Sequence, residues 1–300
     1  MMAATVIVIG PSSQIGSDFC ASATNEAITV IKLDQVEFET LDPQALRKVL
    51  QNHKAQYVVN ASSYGGADRA ELHFEDRHFG VHSSMVSLAK ACTDLNLTLI
   101  HLSTDYVFSG DHTAPYKEDA KPAPVNIFGK AKLAHEQAIK TYCPRHIILR
   151  VGWIFSDNGN NFVLRTLRQL QQQEQVKAVS DQYGCPTYAH DVASVIIAII
   201  KQLECDVEAF GTYHYSGAEV TTWKGFAEAI LAAAKKHGAS KAQLIEAVTS
   251  ADWPAKAPRP NYTVLDCHKI LATFGIRQRP WRSGLVTVIE RAFTPGTRKF

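Results

Sequence analysis

Three hundred residues, 46% of them hydrophobic, can bury a substantial core in one large domain or two closely joined ones. A formal charge of +2 without runs of basic residues argues against nucleic acid as a partner. The six cysteines (Cys20, Cys92, Cys143, Cys185, Cys205, Cys267) are scattered with no C-x-x-C and no metal-like cluster, the pattern of free thiols in a reducing cytosol, and no metal site is expected.

The apolar start, Ala3-Ala4-Thr5-Val6-Ile7-Val8-Ile9, is short, has no basic leader and runs into a glycine turn. It reads as a buried first strand rather than a targeting signal. Further β-branched runs predict strands over 28–33, 57–60, 97–103 and 146–151, alternating with helical windows such as 85–95. That alternation is the signature of an α/β fold with a doubly wound, Rossmann-type parallel sheet, covered by helices on both faces. The Ile196–Ile200 run lies in an amphipathic helical stretch bounded by Asp191 and Lys201, far short of a membrane span. A cytoplasmic protein with no membrane partner is expected. After about residue 151 the texture changes to loops and proline-containing segments. The expected division is a nucleotide-binding domain over 1–155, to which a segment at about 188–215 returns, and a smaller mixed domain over 156–300.

Gly10-Pro11-Ser12-Ser13-Gln14-Ile15-Gly16 follows the first strand and opens a helix. Amide groups at such a helix start can take a pyrophosphate where small residues let it approach, so Gly10, Ser13, Gln14, Ile15 and Gly16 are candidate cofactor contacts. Asp34 ends the second strand, where a carboxylate can accept both ribose hydroxyls of an adenosine or simply close a turn. It would repel a 2′-phosphate, and Lys32 would offset that; NADH is favoured and NADPH stays open. Asn60-Ala61-Ser62-Ser63-Tyr64 ends the third strand, and Ala61, Ser62 and Ser63 are small enough to let a nicotinamide ribose pass, with Tyr64 as a further candidate.

Ser103-Thr104-Asp105-Tyr106-Val107-Phe108, followed by Phe128-Gly129-Lys130-Ala131-Lys132, resembles the catalytic segment of an extended short-chain dehydrogenase/reductase. That superfamily carries Ser/Thr and then Tyr-x-x-x-Lys on a helix. The resemblance implies that Thr104 hydrogen-bonds the substrate oxygen and that Lys132, on the same helical face as residue 128, binds the nicotinamide ribose. Phe128 stands in the tyrosine position: it keeps the ring and loses the acid. Leu41-Asp42 resembles the stretch that contacts the adenine, with a helix N-cap as the competing role for Asp42.

Longer stretches narrow the resemblance. Pro115–Asp119, Asn126–Leu133, Leu149–Trp153, Gly159–Val163, Asp181–Thr187, Arg259-Pro260 and Thr273–Ile276 together resemble the dTDP-4-dehydrorhamnose reductase family over nearly the whole chain. The implied activity is NAD(P)H-dependent reduction of the C4 keto group of a dTDP-4-keto-6-deoxy sugar, in cell-surface polysaccharide synthesis. Thr104, the position of Phe128, and Lys132 would form the catalytic triad; Thr104, Asp105 and Trp153 would touch the sugar, a buried aromatic being the other role for Trp153. The resemblance leaves a homodimer open. The chain departs from the family at Ser13, where a glycine is common, and at His82, where asparagine is usual. Only Glu290 remains of a C-terminal acidic set that binds magnesium in some members.

Phe128 leaves three readings: a tyrosine replaced by design, a natural reductase using another acid (Tyr106, Tyr64 or a water held by Thr104), or a non-catalytic cofactor-binding member resembling the β subunit of methionine adenosyltransferase. Binding of NAD(P)H and the sugar with little turnover is expected. A nucleotide-sugar dehydratase would carry Asp-Glu after the threonine, where this chain has Asp105-Tyr106.

Overall fold

Consecutive Val and Ile residues put one side chain on each face of an extended strand in turn, so a strand covered on both sides stays apolar throughout. Strand β1 (Thr5–Ile9) does this, and the computed structural model, which describes residues 4–63, 65–72, 74–238 and 240–294 with side chains of 74–82 excluded, centres on it. The first half continues with α1 (Gln14–Ala23), β2 (Thr29–Leu33), α2 (Gln35–Thr40), α3 (Pro43–Asn52), β3 (Tyr57–Asn60), α4 (Ala67–Leu72), α5 (Phe74–Asp94), β4 (Thr98–Thr104), α6 (Ile127–Tyr142) and β5 (His146–Val151). The second half carries β6 (Ile154–Phe155), α7 (Phe162–Gln172), β7 (Gln175–Val179), β8 (Tyr183–Gly184), β9 (Thr187–Tyr188), α8 (Ala189–Leu203), β10 (Gly211–His214), β11 (Thr221–Thr222), α9 (Trp223–Lys235), β12 (Leu244–Val248), α10 (His268–Phe274) and α11 (Trp281–Phe293).

The main sheet is fully parallel, in the order β2-β1-β3-β4-β5-β10. Val6, Val8, Val59, Ile147 and Leu149 point to one face and pack with Phe19 of α1 and Val192 and Ile196 of α8. Ile7, Ile9, Val58, Leu99 and Ile148 point to the other, against Leu46 of α3, Leu88 of α5 and Ile139 of α6. The result is a Rossmann-type doubly wound sheet. Its strand order reverses between β1 and β3, and the crevice at their carboxyl ends is where such sheets take ligands.

All five expected strands form, β3 and β5 with the expected bounds and β1, β2 and β4 with a start or end shifted by one residue. The amides of Ile28 and Leu97 are tied back to the preceding helix ends, through Ala23 O (3.2 Å) and Cys92 O (2.7 Å), so β2 and β4 begin one residue later. At its far end β4 runs on to Thr104, delivering that residue to the crevice. A sixth strand, β10, joins beside β5, with α8 preceding it, inside the span expected to return to the first domain. Residues of α7, α9 and α11 build a second core, in which Phe155, Leu167, Phe226, Ile230, Trp281 and Leu285 meet over the parallel pair β7–β12. Among the described residues no helix is long and apolar enough to cross a membrane.

Candidate active site

The turn after β1 needs glycine at both ends. Gly10 has φ +72°, in the left-handed region, and a Cβ there would lie 2.9 Å from the Cα and N of Ser62. A Cβ on Gly16 would lie 2.3 Å from the carbonyl oxygen of Gly10. Bare backbone at these two points lets α1 start tight against the turn and lets the ends of β1 and β3 close together. Ser13, the departure from the common glycine, is the N-cap of α1: its Oγ accepts from the Gly16 amide at 3.0 Å. Its own amide donates to Gly10 O. The substitution is thus absorbed by capping, and the loop remains a cradle that an anionic group can approach.

Helix α6 carries the second set. Asn126 caps it by accepting from the Gly129 amide at 2.8 Å, while its Nδ2 donates to Pro258 O. A Cβ on Gly129 would meet Tyr106 O at 2.1 Å, so glycine there allows the helix to sit on the end of β4 and brings Phe128 edge-on to Tyr106, 6.1 Å between centroids. Gly129, Lys132, His135, Glu136 and Ile139 form the buried face, at helical spacing. Lys132 is only 4% exposed; its ammonium donates to Leu102 O (3.0 Å) and Ser62 O (3.3 Å). Burial lowers it to about 8, with the Glu136 charge opposing. Lys132 is therefore a cation held between the ends of β3 and β4, unlike a solvated helix lysine.

Thr104 ends β4 in an extended conformation. Its Oγ1 accepts from the Tyr106 amide (3.2 Å) and lies 3.0 Å from Asp105 Oδ1. Asp105 is almost wholly buried, and burial pushes its carboxyl up to about 7 against the hydrogen bonds of Thr263, Thr104 and nearby amides. Burial, with the Asp105 charge second, also pushes the Tyr106 phenol upward, which makes it a poor proton donor.

Trp153 follows β5 with φ +52°, a conformation that costs a bulky residue energy and marks a position held by its surroundings. Its indole stacks on Trp223 (3.6 Å, 2° between planes), its Nε1 donates to Thr263 Oγ1, and it fills space beside Gly184 that any Cβ would occupy. The ring packs in the second core, as the buried-aromatic alternative has it, and also lines the cleft.

These groups converge on one cleft of about 570 Å³ between the carboxyl ends of the sheet and the second core. Ser13, Gln14, Ile15, Ala61, Ser62 and Ser63 line it, together with Thr104, Asp105, Phe128, Lys132 and Trp153. Gly10 and Gly16 shape the loop from behind. Asp34 stands at the end of β2, one residue past Leu33, whose carbonyl accepts from the Gly10 amide. It caps α2 through the Val36 amide, and neither it nor Leu41 and Asp42 lines the cleft. Asp42 accepts from the amides of Gln44 and Ala45, the N-cap role for α3. Tyr64 and the side chain of His82 lie outside the described residues. Among the described residues no group of histidine, cysteine and acidic side chains could hold a metal ion.

The cleft also contains groups that were not expected there. Arg165 from α7, Lys177 from β7 and Arg259 bring positive charge to the far side, alongside Trp223 and Trp253. Arg259 Nη2 donates to Asp68 Oδ2 at 2.6 Å, while its buried Nη1 has no hydrogen-bond partner. Asp68 also accepts from the amides of Lys256 and Ala257, tying α4 to the loop that carries the arginine. In sequence Arg165 is one polar position of an amphipathic helix, and only the Arg259-Pro260 dipeptide stood out.

A glycine turn at a strand end, a threonine closing another strand of the same sheet and a buried lysine one turn beyond an aromatic define the extended short-chain dehydrogenase/reductase architecture. The model of the RmlD substrate binding domain family matches residues 4–293, and the chain belongs to that family. It is 32% identical to the dTDP-4-dehydrorhamnose reductase of Aggregatibacter actinomycetemcomitans over 95% of this chain and 98% of that protein. It is 31% identical to the spore coat polysaccharide biosynthesis protein SpsK of Bacillus subtilis, over 93% of this chain and 95% of that one. Among solved structures, the dTDP-4-dehydrorhamnose reductase of Bacillus anthracis in complex with NADP superposes with a TM-score of 0.85 at 27% identity, covering 96% of this chain and 99% of that one. A UDP-glucose 4-epimerase from Thermus thermophilus, 16% identical with a TM-score of 0.76, shares the fold.

Proposed function

We propose that this chain binds NAD(P)H and a dTDP-4-keto-6-deoxy sugar and reduces the C4 keto group slowly, as a dTDP-4-dehydrorhamnose reductase whose usual acid is missing. The single observation that carries the reading is the meeting, in one cleft, of the glycine cradle, Lys132 and Thr104 with the cationic side formed by Arg165 and Arg259. In this reading residues 1–155, with 188–215, hold the cofactor, and the remainder of 156–300 holds most of the sugar nucleotide.

The cofactor supplies a hydride. The chain's residues do the rest: Gly10, Gly16 and the α1 N-terminus accommodate the pyrophosphate, and Asp34 accepts ribose hydroxyls with the oxygen its helix cap leaves over. Leu41 lies towards the adenine side, and Ala61, Ser62 and Ser63 border the nicotinamide ribose that Lys132 holds. Arg165 and Arg259 offset the substrate diphosphate, and the Trp153–Trp223 stack and Asp105 frame the sugar. Thr104 positions the keto oxygen. Phe128 orients by contact and donates nothing, so positioning survives while acid catalysis is lost.

Isothermal titration with NADPH and with the dTDP-4-keto sugar, beside steady-state assays of the parent and Phe128→Tyr, tests this. Both ligands are expected to bind the parent, and the phenol is expected to raise turnover by about 10²–10⁴, the usual worth of a placed acid. A Tyr variant that binds both ligands without oxidising NADPH would overturn it in favour of the non-catalytic, regulatory reading, which rests on Phe128.

A further inference from the structure

With Phe128 in place, the cleft still contains a buried carboxyl group within hydrogen-bond distance of the Thr104 hydroxyl. Asp105 is 2% exposed; its Oδ1 lies 3.0 Å from Thr104 Oγ1, and its Oδ2 is buried with no hydrogen-bond partner. Space for that carboxyl is made by Gly152, where a Cβ would stand 2.4 Å from Oδ2, 2.6 Å from Cγ and 3.0 Å from Oδ1. An unpaired oxygen in such a place is costly as part of a carboxylate and much less so as part of a carboxylic acid.

The groups facing it are uncharged, so none offsets the burial of a carboxylate as a cation would, although their hydrogen bonds act to lower it. They are Thr104 and the Tyr106 amide on its own segment, the Thr263 hydroxyl from the loop preceding α10, and the Cys185 thiol between β8 and β9. None of these is a cation. Arg259 is paired with Asp68, and Lys132 donates to the carbonyls of Leu102 and Ser62. Burial outweighs the lowering influence of Thr263, Thr104 and the nearby amides and raises the Asp105 carboxyl to about 7.

We infer that Asp105 is a positioning residue that supplies, through the Thr104 hydroxyl, the proton that a tyrosine at position 128 would have donated. This rests on the ketoreductase reading above. The 3.0 Å separation serves a hydrogen bond in either direction. With the carboxyl protonated, Asp105 donates to Thr104 Oγ1 and the threonine hydrogen turns to the keto oxygen. As hydride from the dihydronicotinamide forms the new C–H bond, the π pair of the carbonyl moves onto oxygen. That oxygen takes the Thr104 proton, and Thr104 Oγ1 takes the proton from Asp105, leaving a carboxylate. Water in the open cleft restores the carboxylic acid after product leaves. The net change is one hydride and one proton added to the keto group, as in the tyrosine mechanism.

Four proteins decide it: the parent, Asp105→Asn, Phe128→Tyr and the double variant, with NADPH and the dTDP-4-keto sugar over a pH series. In the parent, kcat should fall as pH rises through about 7, where the acid form is lost. Asparagine keeps the shape and lacks the acid, so Asp105→Asn should lower parental kcat about 100-fold, within the range for a placed acid. In the Phe128→Tyr background it should cost tenfold or less, and the limb near 7 should vanish. Infrared titration of the ligand-free parent adds a readout independent of turnover: a carboxylic acid band titrating near neutral pH, absent from Asp105→Asn. Equal losses in both backgrounds, a flat parental profile, absence of that band, or a parent with no turnover beside an active Phe128→Tyr would each overturn the relay. If Phe128→Tyr binds both ligands and is inactive, the ketoreductase reading itself fails and the relay falls with it.

Discussion

Replacing Arg150 with methionine removes one half of an ion pair that fastens helix α6 to the sheet. Arg150 on β5 is 0% exposed; its Nε and Nη2 donate to the two oxygens of Glu136 at 2.8 and 2.7 Å. Glu136, equally buried, also accepts from Ser103, one residue before Thr104. It lies one turn beyond Lys132 on the same face of α6. Burial acts to raise the Glu136 carboxyl, and the Arg150 hydrogen bonds and charge outweigh it and hold it below its ordinary value of 4.5. Without Arg150 the carboxylate keeps Ser103 and a 3.5 Å contact to the half-exposed Lys140.

Breaking a buried pair from one side costs about 3–5 kcal/mol. At about 2.1 cal/mol/K of unfolding entropy per residue, a chain of this size converts that loss into a midpoint drop of about 5–8 °C. The pH sign follows from the depressed carboxyl. Its contribution is complete above 4.5 and is lost as pH falls, so the deficit of Arg150→Met should narrow in acid. Thermal and urea unfolding of Arg150→Met at neutral and acid pH measures both quantities. The double variant Arg150→Met/Glu136→Leu should recover most of the loss, because no unpaired charge is left buried. A single-variant loss below about 1 kcal/mol, or a double variant no better than the single, would refute the reasoning.

Two further outcomes concern the cofactor side. Gly10→Ala places a Cβ 2.9 Å from Ser62 backbone atoms at a φ of +72°, and should weaken NADPH binding at least tenfold with a loss of about 1–2 kcal/mol from backbone strain alone; titration calorimetry and unfolding read the two. Lys132→Met should abolish a fall in NADPH affinity that the parent shows as pH rises through about 8, where the buried ammonium loses its charge; an unchanged pH dependence in the variant would place the titrating group elsewhere.

The local chemistry was legible because it is written in adjacent residues. A β-branched run followed by Gly10 and Gly16 specifies strand, turn and helix start, and the 128/132 spacing puts two side chains on one helical face. One cap was legible in the same way: Asp42 precedes Pro43 and bonds the first amides of α3, whereas the cap that Ser13 gives α1 emerged only in the structure. Arg165, Trp223 and Gly152 gave no such signal. Arg165 belongs to the polar side of its helix by spacing alone, and Gly152 matters for a carboxyl on the turn after a different strand, which no local pattern encodes.

Sequence alone thus determined the parallel α/β sheet, the glycine turn that opens α1 and the absence of a phenol at position 128, since each depends on periodicity or residue identity within a few positions. Only the tertiary structure decided that Lys132 is a buried cation, that Trp153 both packs and faces the cleft, and that Asp105 is enclosed beside Thr104 without a cation. Burial and the company of distant segments set those properties, because the cost of a charge depends on what replaces water around it, and that is known only once the chain has closed.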